Sequence, residues 1–430
     1  MKQTIYFIVI LLFTQGCKRS TQQSINDNIS SVFTEIKSAT KKHKNLWDRD
    51  LYGAILLIDT ETSEIFANET DTANILQPFG NIYKGILPDN VNIANTAMDW
   101  GGKRWAMIML PLPQDKFERI DLLAHELFHS VQPELELDVN YSENIHLDQK
   151  DARIYLRLEL EAITMALKSS SEKEMYNHLT NALTFRKYRN YIFPETDIDE
   201  NYLELLEGTA TYTGLIISGR NNKQATNHLV NSINDFYSNP TYIRSFAYYT
   251  TPAYGYLLQN KNGGWNKEIT SETNLTEYFI NAFNINIPID IKKTVDEIFD
   301  IYNGKTILQE ETDREEKIQK IVADYIQKFI DLPHFELEFG QMSISFDPRN
   351  IMPLEDKGTV YQTITVIDNW GTLNVENGAL MSPNWDKITI TNPLKTEGNI
   401  ITGEGWTLEL TNDYTIEKEE TTENFKLKKI

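Results

Sequence analysis

The chain of 430 residues has one cysteine, no excess of positive charge and no long apolar run. With a single thiol no intrachain disulfide can form, so bridges carry no information on the redox compartment. The balance of 41 Lys and Arg against 62 Asp and Glu gives a formal net charge of −21. Phosphate recognition needs a basic footprint, so nucleic acid is excluded as a partner and the acidity reads as solubility. The longest apolar stretch, Ile5 to Phe13, falls well short of the roughly 18–20 residues that a bilayer-crossing helix requires. Internal repeats and interpretable low-complexity tracts are also missing. What remains, with 40% hydrophobic residues, is enough to bury at least two cores without staples.

The position of the cysteine is informative. Met1-Lys2, the apolar run to Phe13 and the approach Thr14-Gln15-Gly16 precede Cys17, a pattern that reads as an export signal over residues 1–16. This start resembles a bacterial lipoprotein signal, which implies that Cys17 becomes the first mature residue and carries a lipid anchor. Thr14 departs from that pattern, where an aliphatic residue is common. The expected location is the bacterial cell envelope, lipid-anchored, either periplasmic or surface-exposed, with the membrane as a partner. A plain secretory signal or an N-terminal anchor helix is the alternative, and both imply export. Residues 17–44 are polar and mixed, as in a tether.

Beyond the tether the periodicity divides the chain. Tyr52–Ile58, the turn Asp59-Thr60-Glu61-Thr62 and Ile65–Ala67 read as a hairpin, and Trp105–Leu110 as a further strand ended by prolines. Ile120, Leu123, Ala124, Leu127, Phe128 and Val131 recur at spacings of three and four, so residues 118–132 form an amphipathic helix stopped at Pro133. Residues 151–168, 172–191 and 199–217 have the same character. From His334 onward alternation returns, in 342–346, 362–366, 387–390 and 406–410. The fold class is therefore α+β: an N-terminal β region and mainly helical middle over 45–333, then an all-β domain of sandwich or barrel type over 334–430.

Chemistry concentrates in Ala124-His125-Glu126-Leu127-Phe128-His129. On a helix the imidazoles of His125 and His129 lie one turn apart on one face and can share a tetrahedral ion, with Glu126 beside them to take a proton from a polarised water. From 7 His and at most 62 acids in 430 residues, such a string is expected by chance about 0.02 times. The competing reading, two hydrogen-bonded core histidines, needs no such pattern. The remaining histidines, His43, His146, His178, His228 and His334, lack a partner at ligand spacing.

A catalytic zinc site needs a third protein ligand and an open position. Gln132 and Pro133 exclude the metzincin histidine, which leaves a carboxylate. Glu207, in Leu205-Leu206-Glu207-Gly208-Thr209-Ala210, is the first candidate, because small neighbours let another backbone approach it. Glu204 and Glu161 stay open as alternatives. Glu200, Glu204 and Glu207 could equally form a solvated stripe at helical spacing. Tyr254 and Tyr212 are candidates for an oxyanion donor, against a packing role for both.

HELFH followed by LEGTATYTG resembles the gluzincin clan of zinc peptidases, over these two short segments. The longer run from WDRDLYGAILLID through EGTATYTG and TPAYGYLL loosely resembles predicted bacterial metallopeptidases. The resemblance implies a zincin-like catalytic domain, Zn2+ held by His125, His129 and Glu207, and Glu126 as base. It also implies that Trp105–Leu110 lies at a sheet edge above the metal and pairs with an extended peptide, unless it is a core strand. Thr211 stands where thermolysin-like enzymes carry an Asp, so the partner of the first histidine is open. The function expected is hydrolysis of peptide bonds in a peptide or protein substrate. A non-peptide envelope substrate, or a non-catalytic binding lipoprotein with a structural metal, are the alternatives.

Overall fold

The computed structural model describes residues 14–88, 91–137, 139, 144–261, 263–346 and 351–430. The architecture is mixed α and β, with sheets toward both ends of the chain and helices between them. Two compact units meet in sequence between Leu308 and Gln309.

The first unit begins with α1 (Thr14–Lys42) and a sheet of β1 (Ile55–Asp59), β2 (Glu64–Ala67), β3 (Gln77–Phe79), β4 (Ile82–Ile86), β5 (Thr96–Trp100) and β6 (Lys103–Leu110). The spatial order is β3-β4-β2-β1-β6-β5, with β1 and β6 parallel and the other pairs antiparallel. The expected hairpin is β1–β2. Its turn is set by Asp59, whose carboxylate accepts from the amides of Glu61 and Thr62 at 3.0 Å, and by Ser63 at φ 57°.

Both faces of this sheet are covered, which explains why β1 and β6 read as continuous apolar runs. Ile55, Leu57, Ala106 and Ile108 face the helical core, while Leu56, Ile58, Trp105 and Met107 belong to a smaller cluster on the opposite face. Trp105–Leu110 is therefore an interior strand, paired on both sides. The sheet edge expected there is supplied by β5 instead.

Helices α2 (Lys116–Val131), α3 (Lys150–Lys168), α4 (Glu172–Ile192), α5 (Asp197–Leu203), α6 (Thr209–Ile217), α7 (Asn222–Phe236) and α8 (Ala247–Lys261) form the middle of the chain. The single helix expected over 199–217 is interrupted by a π-helical turn at Glu204–Gly208, which joins α5 to α6.

Two further expectations are corrected. Most of the stretch read as a tether over 17–44 lies in α1, and Ile29, Val32, Phe33 and Ile36 of that helix are buried in the main core. Spacings of three and four give the stretch an apolar stripe that its polar composition masks. The domain boundary expected at 334 lies instead after Leu308. The helix Gly304–Ile326 runs through the division in sequence, and within the second unit Tyr325 near its end, with Phe329, packs on Leu354, Val360 and Leu380.

In the second unit, strands from His334–Glu338 to Phe425–Lys429 form a seven-stranded and a six-stranded sheet among the described residues. Phe335, Leu337 and Ile388 from one sheet and Val366, Leu373 and Leu408 from the other share one core, so the unit is a sandwich. The export-signal reading of residues 1–16 lies outside the described residues apart from the helical backbone of 14–16.

Ile36 is fully buried although its surroundings read as a tether. Ile36→Ala is expected to lower the unfolding free energy by about 2–5 kcal/mol in a denaturant titration. An unchanged midpoint would mean that α1 does not belong to the folded unit.

Candidate metal centre

Helix α2 starts where Asp115 caps it, the carboxylate accepting from the amides of Phe117 and Glu118 at 2.8 and 3.0 Å. Ile120, Leu123, Ala124, Leu127 and Phe128 anchor its buried face. That register leaves His125 and His129 together on the face toward a cleft of about 240 Å³, with their Nε2 atoms 3.0 Å apart.

The tautomer of His129 follows from its neighbour. The Gln132 amide nitrogen donates to the carbonyls of Leu205 and Leu206, both at 3.0 Å, so the amide oxygen faces the imidazole. His129 Nδ1 lies 2.8 Å from that oxygen and must carry the proton, which leaves a lone pair on Nε2. His125 Nδ1 is 3.4 Å from the Thr211 hydroxyl, which itself donates to the Glu207 carbonyl at 2.8 Å. Thr211 thus stands beside the first histidine, at the position where the resemblance leads one to look for an Asp.

Glu207 lies on the π-turn. Its Oε2 is 3.3 Å from His125 Nε2 and 3.4 Å from His129 Nε2. In a tetrahedral site with metal–ligand distances near 2.0–2.1 Å, ligand atoms lie roughly 3.3–3.4 Å from one another. The three atoms therefore fit a single ion. Glu126 is buried, and its Oε2 has no hydrogen-bond partner among the described residues. Burial pushes the Glu126 carboxyl up to about 7, against the pull of His129 and with the charge of Glu207 adding to it. Burial also raises Glu207, but the adjacent His125 and His129 imidazoles, when protonated, outweigh it and hold this carboxyl well below its usual range.

No protein-family model, curated protein or solved structure matches the chain.

The oxyanion candidates lie elsewhere. Tyr254 is fully buried, its hydroxyl donating to Glu159 at 3.0 Å and its ring stacked on Phe279, so it does not reach the cleft. Tyr212 is equally buried and donates to Gln259. The tyrosine in the cleft is Tyr248, whose ring lies parallel to His125 at 5.7 Å and whose hydroxyl donates to Glu207 Oε2 at 2.6 Å. Burial and the neighbouring Glu207 charge push the Tyr248 phenol far above its usual range, so it stays a donor.

The alternative third ligands are engaged elsewhere as well. Glu204 and Glu200 do not form a solvated stripe with Glu207; they are buried in a ladder of ion pairs. Arg186 contacts Glu159 at 2.7 Å and Glu204 at 2.8 Å, while Arg189 contacts Glu159 at 2.7 Å and Glu200 at 2.6 Å. His146 closes on Glu200 at 2.7 Å, and the Thr250 hydroxyl donates to Glu204 at 2.5 Å. Glu161 accepts from Asn303 at 3.2 Å. A second cluster, Glu118, Asp121 and His228, has ligand-like spacing, but Arg220 already pairs with both its carboxylates, at 2.6 Å from Glu118 and 2.5 Å from Asp121.

Two outcomes test this geometry. Gln132→Leu removes the acceptor that fixes His129 and is expected to weaken metal binding about 10–100-fold in a chelator competition, with the circular dichroism spectrum unchanged. Equal affinity would dissociate Gln132 from the site. Arg186→Met leaves Glu204 in the core without its guanidinium and Glu159 with one of its two, and is expected to cost about 3–5 kcal/mol in urea unfolding. Wild-type stability in that variant would show the ladder to be dispensable.

Proposed function

We propose that the chain is a zinc-dependent metallopeptidase with a zincin-like catalytic unit, exported and held at the bacterial envelope by a lipid on Cys17. The reading rests on one observation: two imidazole nitrogens and one carboxylate oxygen converge at 3.0–3.4 Å beside a buried Glu126 whose Oε2 has no hydrogen-bond partner among the described residues. A purely structural site has no use for a free carboxylate there.

His125, His129 and Glu207 would hold Zn2+, which when bound supplies a Lewis acid that polarises the scissile carbonyl and brings a water toward neutral pKa. Glu126 takes a proton from the attacking water as its oxygen bonds to the carbonyl carbon. The same carboxyl gives that proton to the amide nitrogen as the C–N bond breaks, so the residue is regenerated as a carboxylate. The Tyr248 hydroxyl, a donor beside the site, turns from Glu207 to the developing oxyanion.

A peptide substrate is favoured by the cleft wall. Thr96 and Ala97 of β5 line the cleft, and among the described residues β5 pairs only with β6, which leaves its other edge for an extended chain. Strand addition there supplies main-chain hydrogen bonds that suit a peptide. The envelope location is supported by the run Ile5–Phe13 before Cys17.

The decisive comparison is the zinc-loaded protein with Glu126→Gln on a peptide mixture read by mass spectrometry. The variant is expected to keep its metal and lose about 10²–10⁴-fold in turnover. Equal turnover would remove Glu126 from the reaction. Tyr248→Phe is expected to lower kcat by about 10²–10³-fold, and an unchanged kcat would assign the oxyanion donor elsewhere.

A further inference from the structure

Among the described residues that line the metal cleft, Arg104 is the only lysine or arginine. Its place there follows from the hairpin of β5 and β6. Gly101 and Gly102 take φ 56° and 77°, the two left-handed residues that a tight hairpin turn needs, and the register puts Asp99 opposite Arg104 and Ala97 opposite Ala106. Side chains alternate along a strand, so Arg104 shares the face of Ala106 and Ile108, which is turned to the helical core. Lys103 goes to the other face, where its ammonium lies over the Trp105 ring and reaches Glu69 at 3.4 Å.

The guanidinium has donors to spare. Among the described residues it makes one hydrogen bond, from Nη1 to Asp99 Oδ2 at 3.2 Å, and the two side chains are 39% and 77% exposed. Arg186, by contrast, grips Glu204 with both terminal nitrogens at 2.9 and 2.8 Å. An exposed ion pair held at one point contributes little and gives way to a better partner. A carboxylate entering the cleft is such a partner, because it accepts two parallel N–H bonds from the planar fork. A substrate chain added to the open edge of β5 runs one strand spacing, about 4.8 Å, from the strand toward which Asp99 draws the guanidinium.

We infer that Arg104 binds a carboxylate of the substrate, carried by an Asp or Glu side chain or by the chain terminus, and that Asp99 holds the guanidinium until the substrate displaces it. The inference rests on the metallopeptidase reading and names its substrate class, peptides with a negative charge near the cleaved bond. The net charge of −21 repels such peptides at long range, so their recognition falls to a local cation.

Calorimetric titration of the zinc-loaded full-length protein with tripeptide hydroxamates tests this by binding. In one set Glu is placed at each position in turn and compared with Gln; in a second, without acidic side chains, a free terminal carboxylate is compared with its amide. The wild type is expected to bind the acid at least about 10-fold more tightly than the amide in one set, which identifies the source of the carboxylate. Arg104→Gln is expected to abolish that preference. Asp99→Asn is expected to tighten binding of the acid, because the internal competitor is gone, with metal content by elemental analysis unchanged in both variants. A cross-strand pair that served only the hairpin would make the two substitutions act alike. No preference for the acid in either set, absence of binding included, overturns the inference, as does a preference that survives Arg104→Gln or no gain from Asp99→Asn. An Arg104-dependent preference in a protein that hydrolyses no peptide keeps the carboxylate site and sinks the peptidase reading, so the two failures are distinguishable.

Discussion

The arrangement of the site depends on a buried ladder of charge. Arg186 and Arg189 of α4 bind Glu159 of α3 from one side and Glu204 and Glu200 from the other. Removing such ions from water is costly, and well-packed apolar residues often serve stability as well or better. What the ladder supplies is direction. Guanidinium groups bind carboxylates in a planar fork, so a helix joined through two of them cannot rotate or slide by a residue without breaking both. Glu200 and Glu204 fix the register of the segment that continues, three residues later, to Glu207.

From that fixed point the π-turn turns Glu207 toward α2. A turn bonded i to i+5 takes in one residue more than an α turn, so Glu207 is rotated off the face that carries Glu200 and Glu204. Gln132 then ties the two sides together, donating its amide hydrogens to the π-turn carbonyls and accepting from His129 Nδ1 on its oxygen. Imidazoles and carboxylate are therefore held by one connected set of hydrogen bonds. Such connection is what keeps ligands within bonding reach of a common point.

This logic also sets what could be read from the chain. The pair His125 and His129 was legible because a four-residue spacing on an amphipathic helix has one geometric outcome. Glu207 was legible through its small neighbours, although its helical spacing from Glu200 and Glu204 suggested one shared stripe; the π-turn that separates them has no signature in residue type. Tyr254 was a candidate and Tyr248 was not, and six positions on an α-helix amount to about 600°, which places the two on different faces. Which face meets the cleft follows from how α8 packs, a tertiary fact. The α1 stripe of Ile29, Val32, Phe33 and Ile36 was present but diluted by Ser, Thr, Asn and Lys. The boundary after Leu308 could not be read because a single helix runs through it.

Two glycines explain why the tyrosine and the histidines meet at all. A Cβ on Gly208 would overlap the Thr251 side chain, and one on Gly214 would press on the carboxylate and carbonyl of Asp121. The first absence lets α8 lie against the π-turn, and the second lets α6 lie against α2. With Thr250 bonded to Glu204, the approach of α8 brings Tyr248 within 2.6 Å of Glu207. Pro252, four residues on, has no amide hydrogen to give the Tyr248 carbonyl, so the helix is loosened at the residue that reaches the cleft. Close packing on one side and a missing backbone bond on the other place a phenol at the Glu207 carboxylate while leaving its helix turn less constrained than its neighbours. That combination is what a donor needs if it is to leave Glu207 and follow charge as it develops.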